Sequence, residues 1–224
     1  SAHCTCFKYL NKDYPDYSVN DILRIGMSKA KLANLVNSKV YSILDVPDDI
    51  ELGDPQRNQV NLAKGKATII DTSGIGRFLG EIKYPLSFID YETYPSALPK
   101  FDGYSPYNQI PFQFSLHVVD KECVDPKHFE YIYTGNAKTD FEFLKNLEEV
   151  LPKTGSVISW NKSFENTINK ELGIRNPSNQ KFLNDLIERT IDLRDIFTEQ
   201  FYVHKDFKGK TSIKKVLPVI APEF

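Results

Sequence analysis

The chain has 224 residues, 41% of them hydrophobic and 26% charged, with 28 Lys and Arg against 30 Asp and Glu for a net charge of −2. This composition excludes a wholly disordered or fibrous chain, and the near-neutral balance does not by itself call for a polyanionic partner. No apolar run approaches the roughly 20 residues of a membrane span, no export signal opens the chain, and three cysteines are an odd number. The expectation is therefore a cytoplasmic, reducing setting. The start at Ser1-Ala2 reads as a processed or cloned piece.

The first 86 residues read as short helices. Ser18 is an N-cap with Asp21 three residues on, and Val19, Ile22, Leu23 and Ile25 follow at helical spacing until Gly26. Ser28 caps a second helix with Leu32, Leu35 and Val36 on one face. Asp45 to Pro55 is acidic and turn-rich, hence a loop, and Thr68-Ile69-Ile70 is too short to classify. Gly74-Ile75-Gly76 with Gly80 has the wrong spacing for a dinucleotide fingerprint and no clear strand before it.

From Pro85 the pattern changes. Leu86–Ile89, apolar but for Ser87, reads as a strand buried on both faces. Phe112, Phe114, Leu116 and Val118 alternate with Gln113, Ser115 and His117, which predicts a strand with one core face, and Phe129–Thr134 predicts a third. A helix capped by Thr139 and Glu142 follows, with Phe143, Leu144, Leu147, Val150 and Leu151 as its stripe and Pro152 as its stop. Ser156–Trp160 is a fourth strand, a helix runs from about Ser163 to Gly173, and Phe182, Leu183, Leu186 and Ile187 mark another. Thr190-Ile191-Asp192 is a short fifth strand, with Asp192 capping the helix after it. The order predicts an α/β fold. A mixed five-stranded sheet flanked by helices occupies 85–224, and a small helical accessory region occupies 1–84.

Asp-x-Glu occurs three times, in different settings. Asp49-Ile50-Glu51 lies in a charged loop and Asp140-Phe141-Glu142 at a helix N-terminus, where carboxylates complement the dipole. Asp90-Tyr91-Glu92 instead ends a buried strand, and its two carboxylates, two residues apart, point to one side. Glu165 stands in the first turn of a helix after the fourth strand, four residues beyond Asn161. If that strand lies beside the first, Glu165 faces Asp90 and Glu92. Three converging carboxylates make a hard-oxygen site suited to Mg²⁺ or Mn²⁺. Against this, Asp90 and Glu92 could simply run into a solvated turn, and Glu165 could only complement its helix dipole.

Two further groups suit a nucleic-acid strand. Tyr84–Phe114 holds nine aromatics in 31 residues where the chain average gives about four. Tyr91, Tyr94, Tyr104 and Tyr107 lie in or beside a loop next to the acids, where they would either stack on bases or simply pack the loop, while Phe88, Phe112 and Phe114 read as core. Val203–Lys215 carries five lysines against Asp206 alone, and Lys214 and Lys215 are the candidates to hold phosphates. His3-Cys4-Thr5-Cys6 offers too few ligands to close a metal site. Cys123 has no visible activating base, and His117 reads as a satisfied sheet histidine. No nucleophile elbow or phosphate-binding P-loop is present.

Leu86–Glu92 followed by Phe101–His117 (FDGYSPYNQIPFQFSLH), together with Ser212–Pro218 (SIKKVLP), resembles the signature of a bacterial domain-of-unknown-function family numbered 2779. That family in turn resembles 3′–5′ exonucleases of the DEDD type, with an RNase H-like fold. The resemblance implies that Asp90 and Glu92 form the first exonuclease motif. It implies that Asn161, Phe164 and Glu165 form the second, where Glu replaces the usual Asp. The third motif, a Tyr-x₃-Asp or His-x₄-Asp helix, should follow Ser212–Pro218, and the chain stops at Phe224 before it. Tyr202 and Asp206 have the spacing but come too early. Asp192 is the first candidate for the acid so lacking, and Asp206 the second.

The resemblance also implies two Mg²⁺ or Mn²⁺ ions in a complete domain, and single-stranded DNA or RNA as substrate. For the parent protein it implies an upstream RecB-like nuclease module with cysteines that look like iron–sulfur ligands, of which His3, Cys4 and Cys6 would be a remnant. Three carboxylates without a fourth predict at most one ion here and weak cleavage. The alternative classes are a catalytically inactive RNase H-like module that binds nucleic acid or protein, and a helical adaptor in residues 1–86.

Overall fold

A computed structural model describes residues 5–135 and 139–224 of the chain. In chain order the elements are α1 (Thr5–Leu10), α2 (Lys29–Asn37), α3 (Asp54–Ala63), β1 (Ile69–Ile70), α4 (Thr72–Gly80), β2 (Leu86–Pro95), β3 (Gln109–Val119) and β4 (Lys127–Ile132). There follow α5 (Asp140–Val150), β5 (Val157–Ser159), α6 (Lys162–Arg175), α7 (Gln180–Arg189), β6 (Thr190–Asp192), α8 (Asp195–Thr198), β7 (Tyr202–Val203) and α9 (Ile213–Ile220). They group into two compact units, residues 1–75 with 195–224, and residues 76–194. The sequence pattern changes near 84/85, whereas the contacts divide the chain at 75/76 and return residues 195–224 to the first unit.

In the first unit Val19, Ile22, Ile25, Leu35, Ile43, Val46 and Val60 form a buried core. The helix expected over Val19–Ile25 is instead two 3₁₀ turns, Val19–Asp21 and Ile25–Met27, with Arg24 left-handed between them. Asp21 does close back on Ser18, accepting from its backbone N–H at 2.9 Å and its hydroxyl at 3.0 Å. That reciprocal bond holds a single turn rather than nucleating a longer helix. Ile69 and Ile70 form β1, which pairs antiparallel with β7. A two-residue strand shows its partner only once the chain has returned from more than 130 residues away.

The second unit contains the expected five-stranded mixed sheet flanked by helices, in the order β4-β3-β2-β5-β6. β2, β3 and β4 are antiparallel neighbours, while β2, β5 and β6 run parallel. One face packs Ile89, Tyr91, Phe114, Leu116, Val118 and Val157 against Phe143, Leu147, Ile168, Leu172, Leu183 and Leu186 of α5, α6 and α7. The opposite face of β2 presents Phe88, Asp90 and Glu92 to solvent. Phe88 is 38% exposed, so β2 is buried on one face and not on both. His117 lies on this open face as well, exposed and stacked on His128 with ring centroids 4.2 Å apart, rather than enclosed in the sheet.

Three capping expectations change. The Thr139 hydroxyl donates to the carbonyl of Pro111 and makes no cap bond to α5. Gly173 does not end α6, which runs on to Arg175; it is a buried contact point where α6 meets Gln180 and Leu183 of α7. Asp192 caps α6, not the helix that follows it.

Candidate active site

The parallel strands β2, β5 and β6 share a carboxyl end, and in open α/β sheets that crevice is where ligands bind. β2 pairs with β5 only through Ser87 and Phe88. Beyond Ser159, β5 turns away through Trp160 and Asn161 into α6, so β2 continues past it with Asp90 and Glu92 beside the gap. Opposite Glu92 the β2–β3 register shifts: Glu92 faces Gln113 but Thr93 faces Pro111, which leaves Phe112 as the extra residue of a β-bulge. Pro111 cannot donate to the ladder, and bulges at such points re-aim the side chains around them.

The α6 N-terminus is held by Asp192. Its carboxylate accepts from the backbone N–H groups of Asn161 at 2.8 Å, Lys162 at 3.0 Å and Arg194 at 3.1 Å. Asn161 takes the left-handed conformation, with φ of 80°, to make the sharp turn from strand to helix. Its side-chain Oδ1 accepts from Arg194 Nη1 at 3.0 Å, which leaves the amide Nδ2 as its outward donor. Asn161 is exposed and Arg194 half-buried, so both line the mouth of the crevice.

This turn carries Glu165 into the crevice as a buried carboxyl group, 4% exposed, whose Oε2 has no hydrogen-bond partner. Burial pushes its pKa up to about 7, the backbone N–H of Glu165 itself opposes this, and the negative charges of Asp90 and Asp192 push it further up. Asp90 on β2 and Asp192 on β6 therefore both act electrostatically on Glu165 of α6. A buried acid that meets two carboxylates and keeps one oxygen unpartnered has the donor chemistry of a hard-cation site. The fit is incomplete, because among the described residues no three His, Cys, Asp or Glu side chains stand together in a cation-holding group. Asp192 already spends its oxygens on backbone N–H groups. Asp90 and Glu165 are the pair with ligand capacity to spare, and Glu92 is exposed one pleat further along β2.

Tyr91 does not serve as a stacking platform. It points to the core face, is 3% exposed, packs edge-on against Phe143, and donates its hydroxyl to Asn169 Oδ1 at 3.1 Å. The strand period decides this, since Asp90 and Glu92 in the open crevice require Tyr91 between them to face inward. Tyr104 is also enclosed: its hydroxyl donates to Asp140 and its ring lies under Arg175. Tyr107, at 70% exposed and with φ of 63°, is offered to solvent. Lys214 and Lys215 stand exposed on α9 in the first unit, as does Asp206 in a 3₁₀ turn, while Tyr202 on β7 is half-buried against Phe197 and Phe207. His3 and Cys4 lie outside the described residues; Cys6 is an exposed free thiol on α1.

Sequence reasoning missed Arg194, which no motif marks, and misassigned Asp192. The available signal for Asp192 was its place at the end of a strand parallel to β5.

The family model named Domain of unknown function (DUF2779) matches residues 87–212, which include Asp90, Glu92, Asn161, Glu165 and Asp192. Uncharacterized protein UU173 of Ureaplasma parvum is 29% identical over 174 residues, covering 73% of this chain and 25% of that protein. Uncharacterized protein MG366 homolog of Mycoplasma pneumoniae is 30% identical over 154 residues, covering 64% of this chain and 23% of that protein. The chain thus spans about a quarter of the length of the curated relatives it matches. No solved structure matches it. With more than half of its length matched, including every strand-end acid of the crevice, the chain belongs to the DUF2779 family.

Proposed function

We propose that this chain is a metal-dependent nuclease domain that hydrolyses phosphodiesters of single-stranded DNA or RNA in the manner of DEDD-type 3′–5′ exonucleases. The observation that carries the reading is Glu165, buried, with an unpartnered oxygen and a pKa raised by burial and by Asp90 and Asp192. Asp90 and Glu165 are the residues that would hold a divalent ion, with Glu92 beside them. Mg²⁺ or Mn²⁺, when bound, supplies charge to the scissile phosphate and acidity to a water. Asp192 fixes the turn that presents Glu165. The Asn161 amide, oriented by Arg194, offers a donor to a phosphate oxygen at the crevice mouth, and Tyr107 offers an exposed ring to a base. For the longer parent, the proposal includes an upstream RecB-like module with an iron–sulfur site.

The second reading, a non-catalytic binding module, draws on the lack of a cation-holding group of three among the described residues. A labelled single strand incubated with Mn²⁺ separates the two. Nucleotides should be lost slowly from the 3′ end with wild type. Removing a group that merely supports a metal ligand costs 10–100-fold, so Asp90→Ala should be at least about 100-fold slower. Equal activity of the two proteins would end the catalytic assignment.

A further inference from the structure

The first unit holds a cavity of about 260 Å³ whose wall is basic and aromatic: Lys208, Lys210 and Lys215 stand around it with Tyr14, Tyr17 and Lys8. Its acids are occupied. Asp16 pairs with Lys8 at 2.9 Å, and the Asp21 carboxylate accepts from Ser18. Among the described residues, Lys208, Lys210 and Lys215 form no ion pair. Lys208 Nζ lies 5.3 Å from the centre of the Tyr17 ring and lends some of its charge to lowering the Asp16 carboxyl.

The lysines are mounted on a rigid support. Gln59 is 3% exposed, and its Nε2 lies 2.9 Å from Tyr17 Oη, 2.9 Å from the Asp21 carbonyl and 3.2 Å from the Lys208 carbonyl. Its Oε1 accepts from the Leu23 N–H at 2.8 Å. Lys208 is left-handed with φ of 48°, and Gly209 follows at φ of 72°, where an added Cβ would overlap the Gln59 amide. One buried amide thus fixes both the Lys208-Gly209-Lys210 turn and the aromatic wall opposite it. Two lysines of this turn and Lys215 of α9 face the same cavity, and with Lys8 they outnumber its acids Asp16 and Asp21 by four to two, an excess of positive charge that an added anion would relieve.

We infer that this cavity is a phosphate-binding site for the backbone of a single-stranded nucleic acid. Three ammonium groups beside tyrosine rings match a phosphodiester with its neighbouring base. The volume lies below that of most pockets that enclose a whole small ligand, which favours one phosphate of a strand over a complete nucleotide. The choice of polymer rests on the nuclease reading, but the binding does not. It is therefore measured in EDTA, where loss of the metal site leaves it untouched.

The test is anisotropy of fluorescein-labelled dT12 with the 224-residue chain in EDTA, at 50 and 200 mM KCl. Three contacts at a slope of about −0.7 each predict about 20-fold weaker binding across that range, and Lys210→Ala with Lys215→Ala should cut the change to about 3-fold. Lys29→Ala with Lys66→Ala, exposed in the same unit and away from the cavity, controls for net charge. All four lysines are exposed, so the variants test binding rather than folding. An unchanged affinity and salt slope in Lys210→Ala/Lys215→Ala overturns the site. Displacement of dT12 by equimolar thymidine monophosphate, inorganic phosphate or a poly-glutamate peptide would overturn the strand assignment; no displacement by any of them supports it.

Discussion

Glu165 has an ordinary pKa of 4.5 and one of about 7 in the folded chain. Between those values the folded state holds a proton that the unfolded state has released, so stability should fall as pH rises through this window and level off above pH 7. A shift of this size corresponds to about 3 kcal/mol. Glu165→Gln keeps the shape and cannot ionise. It should unfold like wild type near pH 4 and gain up to about 3 kcal/mol over it at pH 8, read from urea midpoints. Parallel pH profiles for the two proteins would mean that Glu165 is not a buried carboxyl group with a raised pKa. Tyr91 makes the opposite kind of prediction. Tyr91→Phe leaves Asn169 Oδ1 buried without its donor and should cost about 1–3 kcal/mol of stability while leaving strand affinity unchanged. A loss of strand affinity with stability intact would restore Tyr91 to the binding surface.

At the scale of elements, the loop between β2 and β3 is tied to the helices through Asp140. Its carboxylate takes the Tyr104 hydroxyl, Arg175 Nε at 3.1 Å and Asn176 Nδ2 at 3.1 Å, and Asp140 and Arg175 side chains are 1% and 8% exposed. Removing one partner of a buried pair strands the other charge, so Asp140→Asn should cost about 3–5 kcal/mol. A cost below about 1 kcal/mol would show that the loop does not depend on this anchor. The Asp140-Phe141-Glu142 motif read as a dipole-complementing helix start; the structure gives its first acid a tertiary task that local spacing does not encode. The same limit applies to Gly173, a plausible stop signal that is a helix–helix contact, and to Thr139, whose hydroxyl finds a strand carbonyl. By contrast the core face of β3 was legible over Phe114, Leu116 and Val118, which face a core that tolerates no other period, although the bulge at Phe112 was not.

For the whole molecule, the sheet and its helices were readable because β3, α5, α6 and α7 bury periodic stripes, which frame the short strands β5 and β6 between them. The two-residue β1–β7 pair and the grouping of residues 195–224 with the first unit were not, since they depend on contacts far apart in sequence. Of the candidate site, the approach of Glu165 to Asp90 could be anticipated once β5 was set beside β2, whereas Glu92 is exposed one pleat further along. Asp192 required β6 as well, and Arg194 required the turn that follows it. Among the described residues, no helix is long and apolar enough to cross a membrane.

The central claim, that Asp90 and Glu165 share one divalent cation, is tested most directly by calorimetric titration of the 224-residue chain with Mn²⁺ in two buffers of different protonation enthalpy. One ion should bind. Because Glu165 is about half protonated at pH 7 and must be ionised to act as a ligand, binding should release about half a proton there and close to none at pH 8.5. Both the ion and the proton release should vanish in Glu165→Gln, and Asp90→Asn should weaken binding severely. No Mn²⁺ binding by the wild-type chain, or equal binding by wild type and Glu165→Gln, would contradict the account.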